Sequence, residues 1–352
     1  MKYIIVTGSS GLVGSEAVNF FHKKKFKIIG IDNNLRQYFF GKIASTNWKK
    51  NYQINNLKNF DYNNIDIRNY TKLEKLFVKY RSKIKCIIHS AAQPSHDWAV
   101  KNPKCDFTIN ALGTLNLLEL TKKYCPDSVF IFVSTNKVYG DTPNHLPLKE
   151  NKTRFELQRK NKFYKGIDES MSIDQSTHSL FGVSKSYADL ITQEYGRNIG
   201  LKTGIFRLGC ITGGSHSGAE LHGFLSYLVK ANLKQIPYKI YGYKGKQVRD
   251  NIHALDLVKC FWEFYKKPKK GEVYNIGGGR DNSCSVLEAM NKIEQKTKIK
   301  FNFKITKKNR IGDHIWYISD NKKFKKDYKN WKVKINLSSI IDDIINNNAN
   351  LK

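Results

Sequence analysis

Three short stretches of the 352-residue chain carry residue types that do chemistry together. "TGSSGLVG" sets Gly8, Gly11 and Gly14 between an apolar strand and a helical pattern. Glycines there permit a tight turn and let a pyrophosphate approach the amides of a helix N-terminus. Asp32 closes the next apolar run, 18 residues past Gly14. A carboxylate at that place accepts hydrogen bonds from ribose hydroxyls and repels a 2′-phosphate, so NAD rather than NADP is expected. "STNKVYGD" ends a later strand with Thr135, Asn136 and Lys137: a hydroxyl, an amide and a cation. "HSLFGVSK" puts Phe181 and Lys185 four residues apart, on one face of a helix. The lysine brings positive charge, whereas the phenyl ring has no exchangeable proton.

The elements that must position these residues follow from the hydrophobic pattern. Apolar strands alternate with helical segments in the first half, as a doubly wound parallel sheet requires. "YIIVTG", "KIIGID", "CIIHSAA", "VFIFVSTNKVYG" and "KTGIFRLG" read as strands. Leu12 to Phe21, "DFTINALGTLNLLELTKKY" and Phe181 to about Asn198 read as helices. Polar segments near 33–59 and 141–177 interrupt this order; the first is too irregular to place and the second suggests a lid or a surface excursion. After Gly209 "LHGFLSYLVKANLK" reads as helix, "YKIYGYKGKQVRDNIHALDL" as strand, turn and helix, and "GEVYNIGGG" as strand and loop. The expected fold is α/β, with a Rossmann-like NAD-binding domain over 1–209. A smaller, mainly substrate-binding region covers 210–352 and sends segments back to the sheet.

Composition narrows the function classes. Lys and Arg number 61 against 30 Asp and Glu, a formal charge of +31. The lysines are spread over every segment, often beside Asn and Ile, as in "NKKFKKDYKNWKVKINL". No nucleic-acid module accompanies them, so no nucleic-acid partner is expected and the charge mildly favours anionic substrates. Mean hydropathy of −0.53 fits a soluble protein. No apolar run approaches the roughly 20 residues of a membrane span. "MKYIIVTGSSG" lacks a signal-peptide core, so a cytoplasmic location without membrane contact is expected. Cys86, Cys105, Cys125, Cys210, Cys260 and Cys284 lie far apart, and neither a metal site nor a disulfide framework is expected.

The G-x-x-G-x-x-G spacing, "DIRN", "HSAAQ" and "NALGT" together resemble the extended short-chain dehydrogenase/reductases over nearly the whole chain. The resemblance implies that Asp32 and Asn33 hold the adenosine ribose and that Asp66 and Ile67 contact adenine. It implies further that Ala91, Ala92, Gln93 and Asn110 line the cofactor and that Lys185 binds the nicotinamide ribose. In sugar-nucleotide dehydratases of this superfamily the strand end reads S-T-D-E-V-Y-G. Asn136 and Lys137 replace both carboxylates here, and neither an amide nor a cationic lysine can manage the protons of water elimination. The full string S-T-N-K-V-Y-G-D, with "GKQVRDNIHALDL" and "YNIGGGRDNSCSVLEA", resembles the CDP-paratose 2-epimerase (tyvelose epimerase) family.

That resemblance implies an isomerase of carbohydrate biosynthesis, supplying a surface polysaccharide. It would oxidise a nucleotide-diphosphate sugar, a CDP-hexose favoured, at C2 and return the hydride to the opposite face. Thr135 would bond the reacting hydroxyl, Asn136 and Lys137 other sugar hydroxyls, and Arg249 and Arg310 the diphosphate. A homodimer or homotetramer would form through the Lys185 helix and the helix near Leu115.

The resemblance also calls for tyrosine where Phe181 stands. Three readings stay open: an introduced change that traps substrate, a natural change with another group in the role or with Thr135 and Lys185 sufficing, or a protein that only binds nucleotide sugar. Candidate replacements are His96 and Asp97 in "AAQPSHDWA", and His216, Glu220 and His222 in "GGSHSGAELHG". A histidine titrates near neutrality and suits base work, but each of these also reads as a sugar-hydroxyl partner or loop brace. Tyr139 and Cys210 read as packing residues, and His253 as a brace for its helix.

Overall fold

The structure, a computed structural model, describes residues 2–214, 216, 223–307, 309 and 312–349. Glu220, His222 and Arg310 lie outside the described residues. The chain divides into two compact units. One comprises Met1–Val138, Leu180–Arg207 and Val258–Tyr274; the other comprises Tyr139–Ser179, Leu208–Leu257 and Asn275–Lys352.

Among the described residues a seven-stranded sheet runs in the order Glu272–Ile276, Lys202–Leu208, Val129–Thr135, Ile84–His89, Tyr3–Thr7, Lys27–Ile31, Phe60–Asn63. Pairing from Val129–Thr135 outward to Phe60–Asn63 is parallel throughout. Strand side chains alternate between faces. Ile5, Ile29, Ile31, Ile87, Phe130, Phe132 and Ile205 share one face with Leu73 and Phe77 of helix Tyr70–Tyr80, Leu117 and Leu120 of Gly113–Tyr124, and Ala188 and Tyr195 of Leu180–Arg197. Phe206, one residue on from Ile205, turns the other way onto Phe261 and Phe264 of helix Ala254–Lys266. On that side Phe21 of helix Leu12–Lys23 meets Phe26, Trp262 and Tyr265 edge-on. Helices thus cover both faces, as the doubly wound reading expects.

Three segments differ from the pattern-based reading. The 33–59 insertion is ordered into helices Leu35–Phe40 and Asn47–Asn56. Asn34, at a left-handed φ of 54°, organises it by bonding Gln37, Ser45 and Thr46. Amide bonding of this kind leaves no hydrophobic period to read. "DFTINALGTLNLLELTKKY" is helical without a break, as read, but not α-helical throughout. A π-helical turn, Thr108–Leu112, separates Pro103–Phe107 from Gly113–Tyr124. Finally, "YKIYGYKGKQVRDNIH" holds two strands, Tyr238–Tyr241 and Val248–His253, where one strand and a turn are expected.

In the second unit Val248–His253 pairs with Ser283–Ser285, Trp316–Tyr317 and Cys210–Thr212. The 141–177 excursion contains the hairpin Leu148–Glu150 and Phe155–Leu157. Helices Phe224–Leu233, Val286–Thr297 and Leu337–Ala349 bury Leu228, Val229, Met290, Ile293, Ile340 and Ile341 together. Among the described residues no helix is long and apolar enough to cross a membrane.

Candidate active site

The turn between Tyr3–Thr7 and Leu12–Lys23 is built for close backbone approach. Gly8 sits at φ +67°, and a Cβ there would come within 2.9 Å of the Ala91 nitrogen. A Cβ on Gly14 would lie 2.0 Å from the Gly8 oxygen. Only glycine fits at either place, and the helix N-terminus at Gly11 has no side-chain cap. The hydroxyls of Ser9 and Ser10 are buried, with no hydrogen-bond partner among the described residues. Free amides beside two unsatisfied hydroxyls suit the oxygens of a pyrophosphate. This loop fits a dinucleotide.

Asp32, past the end of Lys27–Ile31, accepts from Ser10 N at 2.9 Å and Asn34 N at 2.8 Å. Burial pushes its carboxyl up, against the pull of those amides and of Lys50. Asn33 donates to Asp66 at 3.1 Å, and Arg68 grips both oxygens of Asp66 at 2.9 and 2.6 Å. Burial raises the Asp66 carboxyl, but the Arg68 fork outweighs it and leaves the acid below its ordinary range. Ile67 is buried against Gly113, and its carbonyl accepts from Asn116 at 3.0 Å.

At the next strand end Ala91 N bonds Thr7 Oγ1 at 3.1 Å. Gln93 and Asn110 are both buried, and their side chains are committed to each other's surroundings. Gln93 N donates to Asn110 Oδ1 at 2.9 Å, and Asn110 Nδ2 donates back to Gln93 O at 3.1 Å. His96 opens helix His96–Lys101, and its ring packs edge-on against Phe181, 5.0 Å between centroids.

Thr135 ends its strand and its Oγ1 accepts from Lys137 N at 3.2 Å, which leaves its O–H as a donor. Asn136 is buried and Lys137 half-buried in the 3₁₀ turn that follows. Lys185 is buried; its Nζ donates to Val133 O at 2.8 Å and stands 4.2 Å above the Phe132 ring. Burial pulls this ammonium down to about 8, partly opposed by Asp189 and Asp106. A group poised there carries charge at neutral pH and responds to small changes nearby.

Arg249 and His216 belong to the second unit. Arg249 Nη1 donates to Val248 O at 2.7 Å, and its Nη2 lies 3.6 Å from Asp313. The His216 amide bonds Gly213 O at 3.1 Å. His253 accepts from Leu255 N at 3.1 Å and pairs with Asp343 at 3.1 Å, so it braces its helix as expected. Tyr139 is fully buried and donates to Asn275 at 2.8 Å, a packing role.

Pattern reading missed a buried polar layer beneath the strand end. Asp189 pairs with Arg207 through bonds of 3.0 and 2.9 Å and accepts from Ser134 at 2.6 Å. The signal was available: an arginine inside the apolar strand "KTGIFRLG" requires a buried acid. His89 lies between Thr7 and Thr114 at 2.8 and 2.9 Å. Burial, aided by Lys185, pulls it down to about 3 and keeps it neutral. Among the described residues no cluster of His, Cys, Asp or Glu could hold a metal.

A doubly wound sheet with this glycine turn and an acid at the next strand end defines a dinucleotide-binding protein. Comparison with known proteins makes the class specific. Residues 4–277 match the NAD dependent epimerase/dehydratase family. The chain is 33% identical over 308 residues to CDP-paratose 2-epimerase of Salmonella typhi, covering 85% of this chain and 86% of that one. It is 26% identical over 298 residues to UDP-glucuronate 4-epimerase of Thermodesulfobacterium geofontis, covering 84% and 80%. The fold matches that of UDP-glucuronic acid 4-epimerase from Bacillus cereus in complex with UDP-glucuronic acid and NAD, at a TM-score of 0.79 and 23% identity over 100% of both chains. It also matches the Thermus thermophilus UDP-glucose 4-epimerase in complex with NAD, at 0.77 and 20% over 98% of both. The protein belongs to the NAD dependent epimerase/dehydratase family, and NAD is its cofactor.

Proposed function

We propose that the protein inverts C2 of a nucleotide-diphosphate sugar, a CDP-hexose, through a transient ketone. The observation that carries the reading is the strand end Thr135–Asn136–Lys137, which offers a hydroxyl, an amide and a cation but no carboxylate for water elimination. The 33% identity with the Salmonella typhi CDP-paratose 2-epimerase supports both the carbon and the base. NAD, when bound, takes a hydride from a carbinol carbon and can return it. The chain's own groups do the rest. Gly8, Gly11 and Gly14 admit the pyrophosphate, Asp32 and Asn33 hold the ribose, and Asp66 and Ile67 border the adenine. Ala91, Ala92, Gln93 and Asn110 shape the strand end beside it. Lys185 holds positive charge next to the reacting centre, and Thr135 donates to the reacting oxygen. Asn136, Lys137 and His96 bond the sugar. The reaction belongs in the cytoplasm, where sugar nucleotides are made.

Phe181 favours a second reading, a protein that binds a nucleotide sugar without oxidising it. Proton NMR of the NAD-loaded protein with CDP-, UDP-, GDP- and dTDP-hexoses separates the two. Interconversion of equatorial and axial C2 hydroxyls, seen in the H2 couplings of the CDP sugar, is the expected result. Binding without conversion in every case would leave the second reading standing.

A homodimer, alone or within a tetramer, is part of the same proposal. Leu180, Val183, Tyr187 and Leu190 form an exposed stripe at three- and four-residue spacing on helix Leu180–Arg197, and Phe107 and Leu112 are exposed as well. Phe107 continues the stripe, its ring 6.0 Å from that of Tyr187. A large apolar patch of this kind marks an association surface. Val183→Glu with Leu190→Glu should therefore halve the mass seen by light scattering; an unchanged mass would place the interface elsewhere.

A further inference from the structure

We propose that His96 is the acid–base residue of this site, taking the place of the hydroxyl that position 181 lacks. The proposal rests on the epimerase reading above. Phe181 is buried, and the His96 ring meets it with planes 68° apart at 5.0 Å between centroids. Lys185 stands four residues further along the same helix. The imidazole is thus a proton-exchanging group in contact with the ring that replaces tyrosine.

Its place is fixed by a chain of buried amides. The Gln93 side chain clasps Ser95, the residue before His96, by accepting from Ser95 N at 2.5 Å and donating to Ser95 O at 2.8 Å. Asn110 clasps the Gln93 backbone in the same two-handed way. Asn110 also donates to Ser184 Oγ at 3.0 Å, the residue before Lys185, and Ser184 bonds the Phe181 carbonyl at 3.1 Å. Asp106 ties Gln93 and Asn110 together at 2.7 and 3.1 Å. Ser95 Oγ caps the short helix at Trp98 N, and the Trp98 indole is anchored on Phe39 O. A fully satisfied buried polar network rigidifies and specifies the geometry around it. What this one specifies is the backbone before His96 relative to the backbone before Lys185.

The step balances without a further reactant. The O–H bond of the sugar hydroxyl breaks and its proton passes to an imidazole nitrogen. The electron pair left on oxygen forms the C=O bond, while the C–H pair leaves as hydride to the oxidised dinucleotide. The reverse step returns the hydride to the other face and the proton from His96 to oxygen. Imidazole is suited to both directions because it titrates near neutrality. The charged groups on the elements around it are Asp97 and Lys101 on its own helix, Lys104 and Asp106 on Pro103–Phe107, Lys185, Asp189, Glu194 and Arg197 on Leu180–Arg197, and Arg36 on Leu35–Phe40.

The test uses NAD-loaded full-length protein: wild type, His96→Gln, and His96→Gln with Phe181→Tyr. His96→Gln should lower kcat by about 10²–10⁴-fold, leave KM within about threefold, and change the shape of the kcat–pH profile. Tyrosine at 181 in that background should restore at least about tenfold. Independently, the His96 Cε1–H resonance of the wild type should shift when the sugar nucleotide is added. Wild-type turnover with an equally active His96→Gln, or a His96 resonance unmoved by a substrate that is turned over, overturns the proposal and leaves the epimerase reading intact. A wild type that converts no hexose overturns both.

Discussion

Arg207→Met should destabilise the protein by about 3–5 kcal/mol in equilibrium denaturation, because it leaves a buried acid without its cation. The Arg207 and Asp189 side chains are only 6% and 1% exposed, and the guanidinium engages both carboxylate oxygens. Removing the arginine strands a charge that Ser134 and Gln193, at 2.6 Å each, cannot neutralise. The pair as a whole is a different matter. Replacing both members with apolar groups removes the attraction together with the desolvation penalty. Asp189→Leu combined with Arg207→Met should thus recover at least half of the loss. Equal losses in the single and double variants would mean that the arginine acts through packing of its stem. The site should feel the single change too, since Ser134 is bonded to Asp189 and precedes Thr135 in the chain.

How much of this was legible in the sequence depends on the range of the interactions. The strands Tyr3–Thr7 and Lys27–Ile31 and the glycine turn are each written in a few consecutive residues, and their reading holds. Val248–His253 was hidden because a strand carrying Arg249, Asp250 and Asn251 shows no apolar alternation. Asp250 belongs there for a tertiary reason: it is fully buried and accepts from Gly279 N and Ser319 N. The 33–59 insertion hid its helices for the same reason, since Asn34 and Gln53 organise it by side-chain bonds; Gln53 reaches Ser9 O at 2.9 Å. In the site, residue types were readable and partnerships were not. The sequence names His96 and Phe181 as candidates, yet their contact is made where the fold packs helix His96–Lys101 against helix Leu180–Arg197. Gln93 and Asn110 stand at positions the resemblance links to the cofactor, but the use of their amides to clasp backbone is visible only in three dimensions.

Lys185→Met should cut kcat by about 10²-fold or more while lessening the stability gap between neutral and alkaline pH. The first effect follows from removing a fixed positive charge from a site where charge develops on oxygen. The second follows from burial. The folded protein pulls the Lys185 ammonium down to about 8 from the ordinary 10.5. Between those two values the unfolded chain holds a proton that the folded chain has released, so wild-type stability gains from this group as pH rises through the window. Below about pH 8 the whole cost of burying the cation is present, on the order of 3 kcal/mol at 1.36 kcal/mol per pH unit. Methionine keeps the aliphatic stem without the charge. Its main loss is the bond to Val133 O, about 1 kcal/mol net. The variant should therefore match or exceed wild-type stability near pH 7 and fall behind it near pH 10. Urea melts of both proteins at the two pH values decide the matter, and parallel curves would show that Lys185 titrates as an ordinary surface lysine. A cation held where it weakens the fold at neutral pH fits the role proposed for Lys185, since perturbed, costly charges concentrate at functional sites.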